Sequence, residues 1–244
     1  EKKAFLPGNG CGIDDIEISD SIVMVAIDSQ WFLEDWDRYP TINDDCDIKT
    51  RDAMFTELED ILKDSQDKVV VIAMHHPLMT HGTHGGEFSP EKHLFPLRQR
   101  IPLPVLGSFI DLARKASGYS TQDIQSRVYN DLANRIKAMI QGLDNVIVVS
   151  GHDHNLQYIN HDNIHQVISG AGCKEEAARA IYPNDFSYGG TGYVVMDVFT
   201  DGKVKLDYFA LRDNKDVKLF ERIIDLKPDP VIKDYSGNFP AKTK

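Results

Sequence analysis

Four of the nine histidines in this 244-residue chain stand where an apolar run stops. Val146, Ile147, Val148 and Val149 lead through Ser150 into Gly151-His152-Asp153-His154. Two imidazoles one residue apart at the tip of a buried strand are poor core material and good metal ligands, because each neutral ring offers a lone pair to a divalent ion. If the segment stays extended, residues i and i+2 face the same way, so His152 and His154 approach one or two ions together. Gly151 removes a Cβ where backbone passes close to that site. A second apolar run, Val69 to Met74, ends at His75-His76-Pro77. Adjacent extended residues point to opposite sides, so His75 is the candidate ligand. His76 then meets substrate or a supporting acceptor, and Pro77 stiffens the turn. Two such strand ends at one edge of a sheet bring the rings to a shared site, and the chemistry implied is metal chemistry.

The segment Thr80-His81-Gly82-Thr83-His84-Gly85-Gly86 comes next, and its glycines predict a flexible loop able to fold over the site. His84 is the candidate proton donor to a leaving alkoxide, and His81 a candidate substrate contact. A mobile, solvated loop is the competing reading of both. His93, His161 and His165 have no supporting context. Asp28 ends the run Ile22 to Ile27, where an Asp more often caps the following turn than serves as a ligand or base. Ser150 lacks the Gly-x-Ser-x-Gly elbow that exposes a serine nucleophile, which disfavours a Ser/His/Asp hydrolase.

These side chains need elements to position them. Ile22 to Ile27 reads as a buried strand, followed by an aromatic, acidic loop from Trp31 to Asp37. From Thr50, a candidate N-cap, Met54, Phe55, Leu58, Ile61 and Leu62 recur at helical spacing before the polar turn Asp64 to Lys68 leads into Val69. Strand, helix, strand is the order of a parallel α/β unit. Pro96, Pro102 and Pro104 interrupt regular structure between His93 and Gly107, while Leu106 to Ala116 and Thr121 to Ile140 carry helical patterns. After His154 the segments Leu156 to Ile159, His165 to Ile168, Gly192 to Phe199 and Val204 to Leu211 read as successive strands. Asp201-Gly202 is a hairpin signal between the last two.

A hydrophobic content of 41% suits one large or two small globular domains. The net charge of -11, with no cluster of Lys and Arg, excludes nucleic-acid binding by counterion release, so an anionic substrate would find its local positive charge in bound metal. Cys11, Cys46 and Cys173 are scattered and odd in number, which predicts thiols rather than a disulfide framework or a zinc site. No run of about 18 apolar residues is present to form a spanning helix. The start at Glu1 lacks an apolar signal core, and Lys227 to Lys244 is rich in Pro and Lys without periodicity, so both ends read as cuts in something longer.

The order strand-Asp28-Ser29, helix, Val70-Val71-Ile72-Ala73-Met74-His75-His76-Pro77, helix, Val148-Val149-Ser150-Gly151-His152-Asp153-His154 resembles the calcineurin-like metallophosphoesterases, and among them the purple acid phosphatases. The resemblance implies an α/β chain forming part of a four-layer α/β/β/α sandwich with mixed sheets, and hydrolysis of phosphate esters with two metal ions, Fe, Mn or Zn. It implies that His75 and His152 bind one ion and His154 the other, and that His84, in a His-Gly pair nine residues after His75, donates a proton on the substrate side. A phosphorylated small molecule would be the substrate, and the cell envelope or extracellular space the compartment. The family's Asp-x-His, Gly-Asp and Gly-Asn-His motifs are absent; Gly8-Asn9-Gly10 lacks the histidine. Three imidazoles carry no negative charge and neutralise neither of two divalent ions. The expectation is therefore that residues 1–226 form the C-terminal portion of such a domain and 227–244 a tail. The N-terminal half is then the missing partner, and this portion is inactive alone. The rival expectation is a non-catalytic binding or assembly module on a degenerate phosphoesterase fold.

Overall fold

A computed structural model of the chain describes residues 6–8, 11–85 and 122–228. The helical pattern Leu106 to Ala116, the proline-rich stretch before it, His93 and the residues after 228 lie outside the described residues.

The elements run β1 (Ile13–Ser19), β2 (Ile22–Ile27), α1 (Ser29–Leu33), α2 (Arg51–Asp64), β3 (Val69–Met74), α3 (Arg127–Ile140), β4 (Val146–Ser150), β5 (Leu156–His161), β6 (Ile164–Ser169), β7 (Phe186–Tyr188), β8 (Gly192–Val198), β9 (Lys203–Arg212) and β10 (Lys215–Asp225). Seven strands form a mixed sheet in the order β1-β2-β3-β4-β6-β5-β7, and three form an antiparallel sheet in the order β10-β9-β8. β2, β3, β4 and β6 are parallel neighbours, with Met74 opposite Ser150 at the carboxyl ends of β3 and β4.

The apolar runs of β3 and β4 have no polar alternation because both of their faces are covered. Val70, Ile72, Val146 and Val148 pack with α1, α2 and α3 on one face, whereas Val69, Val71 and Ile147 join Val204, Leu206, Tyr208 and Ile224 of the small sheet on the other. α2 starts where the sequence predicts, with the Thr50 hydroxyl accepting from the Ala53 amide at 3.1 Å, and it buries the five predicted apolar residues. Asp28 caps as turn chemistry expects, accepting from the Trp31 amide at 3.0 Å. The residues Trp31 to Leu33, expected in a loop, form α1 beneath that cap. The pattern from Thr121 becomes helical only at Arg127, because the Ser126 side chain caps there. Gly202, at φ +85°, turns the hairpin between β8 and β9.

One expectation from composition is overturned: Cys11 and Cys46 form a disulfide with Cα atoms 5.3 Å apart, and Cys173 is the exposed thiol. An odd count forbids pairing of all three cysteines but not of two, and spacing along the chain carries no record of a contact 35 residues long. Closing a loop of that length restricts the unfolded chain, so Cys46→Ser should lower stability by about 2–4 kcal/mol. Urea denaturation of the variant beside the oxidised chain checks this, and equal midpoints would contradict it.

Candidate metal centre

Parallel pairing of β3 and β4 delivers His75 and His152 to the same sheet edge, and the Gly151 amide donates to the His75 carbonyl at 3.2 Å. β4 ends at Ser150, so the extended geometry expected of the Gly-His-Asp-His segment does not hold. His152 takes φ +66°, a left-handed conformation that costs a non-glycine residue of order 1 kcal/mol and is kept where surroundings hold it. Its ring turns toward β3.

The protonation pattern of that ring follows from its partners. His152 Nε2 lies 2.8 Å from the Gln122 backbone carbonyl, which only accepts, so Nε2 carries the proton and Nδ1 the lone pair. That lone pair faces His75 Nε2 at 3.2 Å. Two imidazole nitrogens bound to one tetrahedral ion at ordinary Zn–N lengths stand about 3.3 Å apart. Burial, reinforced by the neighbouring His84 and His76, pushes His152 down to about 3, so the ring keeps its lone pair at neutral pH. Burial also lowers His75, which is the exposed member and opens onto a cleft of about 680 Å³ lined by Met24, Ala73, Met74, Val149 and Gly151.

His76 joins His75 and His152 in a group whose ligand atoms lie within 4.8 Å of one another, but both of its nitrogens are already engaged. Its amide donates to Ser29 Oγ at 3.2 Å, the Ser29 hydroxyl answers Nδ1 at 2.8 Å, and Nε2 donates to Gln122 Oε1 at 2.8 Å. The ring is fully buried and driven down to about 4 by that burial. His76 thus braces the centre, with Gln122 holding it by the side chain and His152 by the backbone.

A second group of possible ligand atoms within 4.8 Å of one another joins His84, Asp153 and Glu176, and His154 stands apart from both groups among the described residues. Its Nδ1 is buried with no hydrogen-bond partner among those residues, an orphaned atom that suits a ligand still to be supplied. Its proximity lowers His75 further. The His75–His152 pair and this orphan fit a divalent ion by donor chemistry.

The Thr80–Gly85 segment is fastened down rather than flexible. The His81 amide donates to Gln157 Oε1 at 2.8 Å, its carbonyl accepts from the Arg179 amide at 3.1 Å, and its Nε2 meets Asp185 Oδ2 at 2.9 Å. That leaves His81 a clamp in the fold. Gly82 serves close approach: a Cβ there would lie 2.7 Å from Asp153 Cγ. His84 donates from Nδ1 to Asp123 Oδ1 at 2.9 Å, leaving Nε2 without a hydrogen bond among the described residues, and its ring centroid is 4.0 Å from that of His152. Asp123, Gln122, Ser29 and Asp153 carry no role that sequence reasoning assigns. Only Ser29, beside Asp28, and Asp153, between two histidines, have a local cue.

No protein-family model matches the chain, and no curated protein matches it. Among solved structures it is similar to PhoD, at 12% identity and a TM-score of 0.54 over 88% of this chain and 42% of that one. It is also similar to purple acid phosphatase PPD1 from yellow lupin (Lupinus luteus) seeds, at 12% identity and a TM-score of 0.50 over 87% of this chain and 32% of that one. GAP50, the anchor in the inner membrane complex of Plasmodium, matches at 13% identity and a TM-score of 0.49 over 88% of this chain and 53% of that one. The chain thus spans about a third to a half of the lengths of these structures. PhoD and the purple acid phosphatase have metallophosphoesterase-type folds, and the mixed α/β fold here is of that type.

Proposed function

We propose that this chain is the C-terminal portion of a calcineurin-like metallophosphoesterase that hydrolyses esters of a phosphorylated small molecule. The observation that carries the reading is the meeting of His152 Nδ1 and His75 Nε2 at 3.2 Å on the carboxyl edge of parallel strands. A fold like those of PhoD and a purple acid phosphatase supports it. His75 and His152 would hold one ion and His154 would serve a second, each Fe, Mn or Zn. When bound, the ions supply Lewis acidity and neutralise phosphate charge. Residues 1–226 would belong to the phosphoesterase domain, and the tail expected from 227 lies outside the described residues beyond 228. The N-terminal half of a four-layer sandwich would cover the cleft beside Met24, Ala73 and Val149 and bring the carboxylates that three imidazoles lack. The Cys11–Cys46 disulfide favours the cell envelope or extracellular space.

Within this portion the work is orientation and proton transfer. Gln122 and Ser29 fix the tautomers of His152 and His76: the His152 lone pair faces His75, and both nitrogens of His76 are tied into the fold. His84, held at Nδ1 by Asp123, presents Nε2 to the leaving oxygen and gives it a proton. The longest natural form of the protein, loaded with Zn, Mn or Fe, should hydrolyse p-nitrophenyl phosphate and lose that activity to chelation. Failure of every metal-loaded form to cleave monoesters, diesters and pyrophosphate would overturn the enzyme reading in favour of a binding module. His84→Asn should lower kcat about 100-fold on an alkyl phosphate and little on the p-nitrophenyl ester, whose leaving group needs no proton. Equal losses on both would remove His84 from the donor role.

A further inference from the structure

We propose that Asp153, between the two motif histidines, is the positioning residue of the proton donor: its carboxylate fastens the Thr80–Gly85 segment to the turn after β4 and so sets His84 against His152. The proposal deepens the phosphoesterase reading and rests on it for the role of His84.

A carboxylate in a tight turn normally faces water. Asp153 is 0% exposed. Both of its oxygens face the segment that carries His84: the Thr80 hydroxyl donates to Oδ2, and the His84 amide donates to Oδ1 at 3.1 Å. Thr80 Oγ1 also accepts from the Gly82 amide and from Gln157 Nε2, each at 3.0 Å, so its lone pairs are used and only its proton remains for Asp153. Two donors therefore point at this one side chain, and only a group accepting at both oxygens satisfies them. Asparagine satisfies at most one, whichever way its amide is turned.

The packing around the carboxylate fits the same role. A Cβ on Gly82 would stand 2.7 Å from Asp153 Cγ, and one on Gly170 would stand 2.0 Å from the Asp153 carbonyl oxygen. Segments on both sides close on Asp153 without side chains. The outcome is a His84 fixed at its amide by Asp153 and at its ring by Asp123, with its centroid 4.0 Å from that of His152.

Asp153→Asn, Thr80→Val and Thr80→Ser in the full chain test the clamp by three measurements: hydrogen exchange and ring nitrogen shifts of His84 by NMR, metal content by mass spectrometry, and kcat and KM on an alkyl phosphate. Asp153→Asn should speed exchange of the His84 amide about tenfold, the loss of one buried hydrogen bond, and Thr80→Val, which removes the three bonds at Oγ1, by at least as much. Each should lower kcat by about 10- to 100-fold with KM and metal content unchanged. Thr80→Ser, which keeps the hydroxyl, should behave as the parent. His84 exchange and ring shifts that stay unchanged in Asp153→Asn would overturn the proposal. So would metal content falling in step with kcat, since Asp153 would then be a ligand. If the parent cleaves no ester, the phosphoesterase reading fails while the exchange rates still decide the clamp. Should Asp153→Asn not fold, the Thr80 pair decides it by the same exchange rates and ring shifts.

Discussion

His152→Ala should strip the β3–β4 edge of the proposed ion and lower turnover of the proposed phosphoesterase by roughly 10³- to 10⁵-fold, the scale of several kcal/mol of Lewis-acid stabilisation. The ring carries one of two imidazole nitrogens that stand 3.2 Å apart, and His76 beside them cannot replace it, because both of its nitrogens are engaged. Its removal also takes away the Nε2–H that the Gln122 carbonyl accepts. Alanine is poorly suited to φ +66°, so backbone strain contributes to the effect of that variant. His152→Asn separates the two causes: asparagine tolerates the left-handed region while lacking the ring, and it should bind metal as poorly as alanine. His161→Ala is the control, an exposed ring paired with Asp162 at 2.9 Å, and it should match the parent. Metal content by mass spectrometry beside initial rates decides the matter. A His152→Asn protein holding its full complement of metal would end the assignment of His152 as a ligand.

The order of legibility in this chain follows the range of the physical signal. α2 is readable because one cap and five apolar residues repeat every turn, and β3 and β4 because both their faces are buried. Convergence of His75 and His152 follows from parallel strands ending in register, a long-range fact that strand order already implies. The conformation beyond Ser150 is not readable. A left-handed φ at His152 is enforced by contacts with Gln122 and His75, which lie 30 and 77 residues away. The supporting acids are equally hidden: Asp123 reaches His84 across 39 residues, and Asp153 reaches Thr80 across 73. The glycines of the His81–His84 segment mislead for a related reason, since close approach and flexibility leave the same letter in a sequence. β1 escapes notice because only Ile13 among its residues is buried, leaving almost no hydrophobic alternation.

Acid should unfold the metal-free chain well before its surface carboxylates are fully protonated, and the buried rings at the centre give the reason. Burial holds His152 at about 3 and His76 at about 4 in the folded state, against 6.5 for a free ring. Between pH 6.5 and about 4 these two rings therefore bind up to two more protons in the unfolded chain than in the folded one, so stability rises with pH there and is lost as pH falls. Below about 3 both states carry the protons and the loss levels off. Two rings at 1.36 kcal/mol per pH unit each make the loss from pH 6.5 to 4 on the order of 5 kcal/mol, comparable to the whole stability of an ordinary domain. Urea titrations at pH 7, 6, 5 and 4 with a chelator present should show the midpoint dropping at each step below 6.5. His152→Asn, which removes the most strongly shifted of these rings, should make that slope shallower. Bound metal adds to the dependence, because protons compete for the same lone pair, so the loaded protein should be stabilised most at neutral pH and least at pH 4. A midpoint flat from pH 7 to 4.5 in the metal-free chain would mean that His152 and His76 reach water, and the argument that burial keeps the His152 lone pair ready would fall with it.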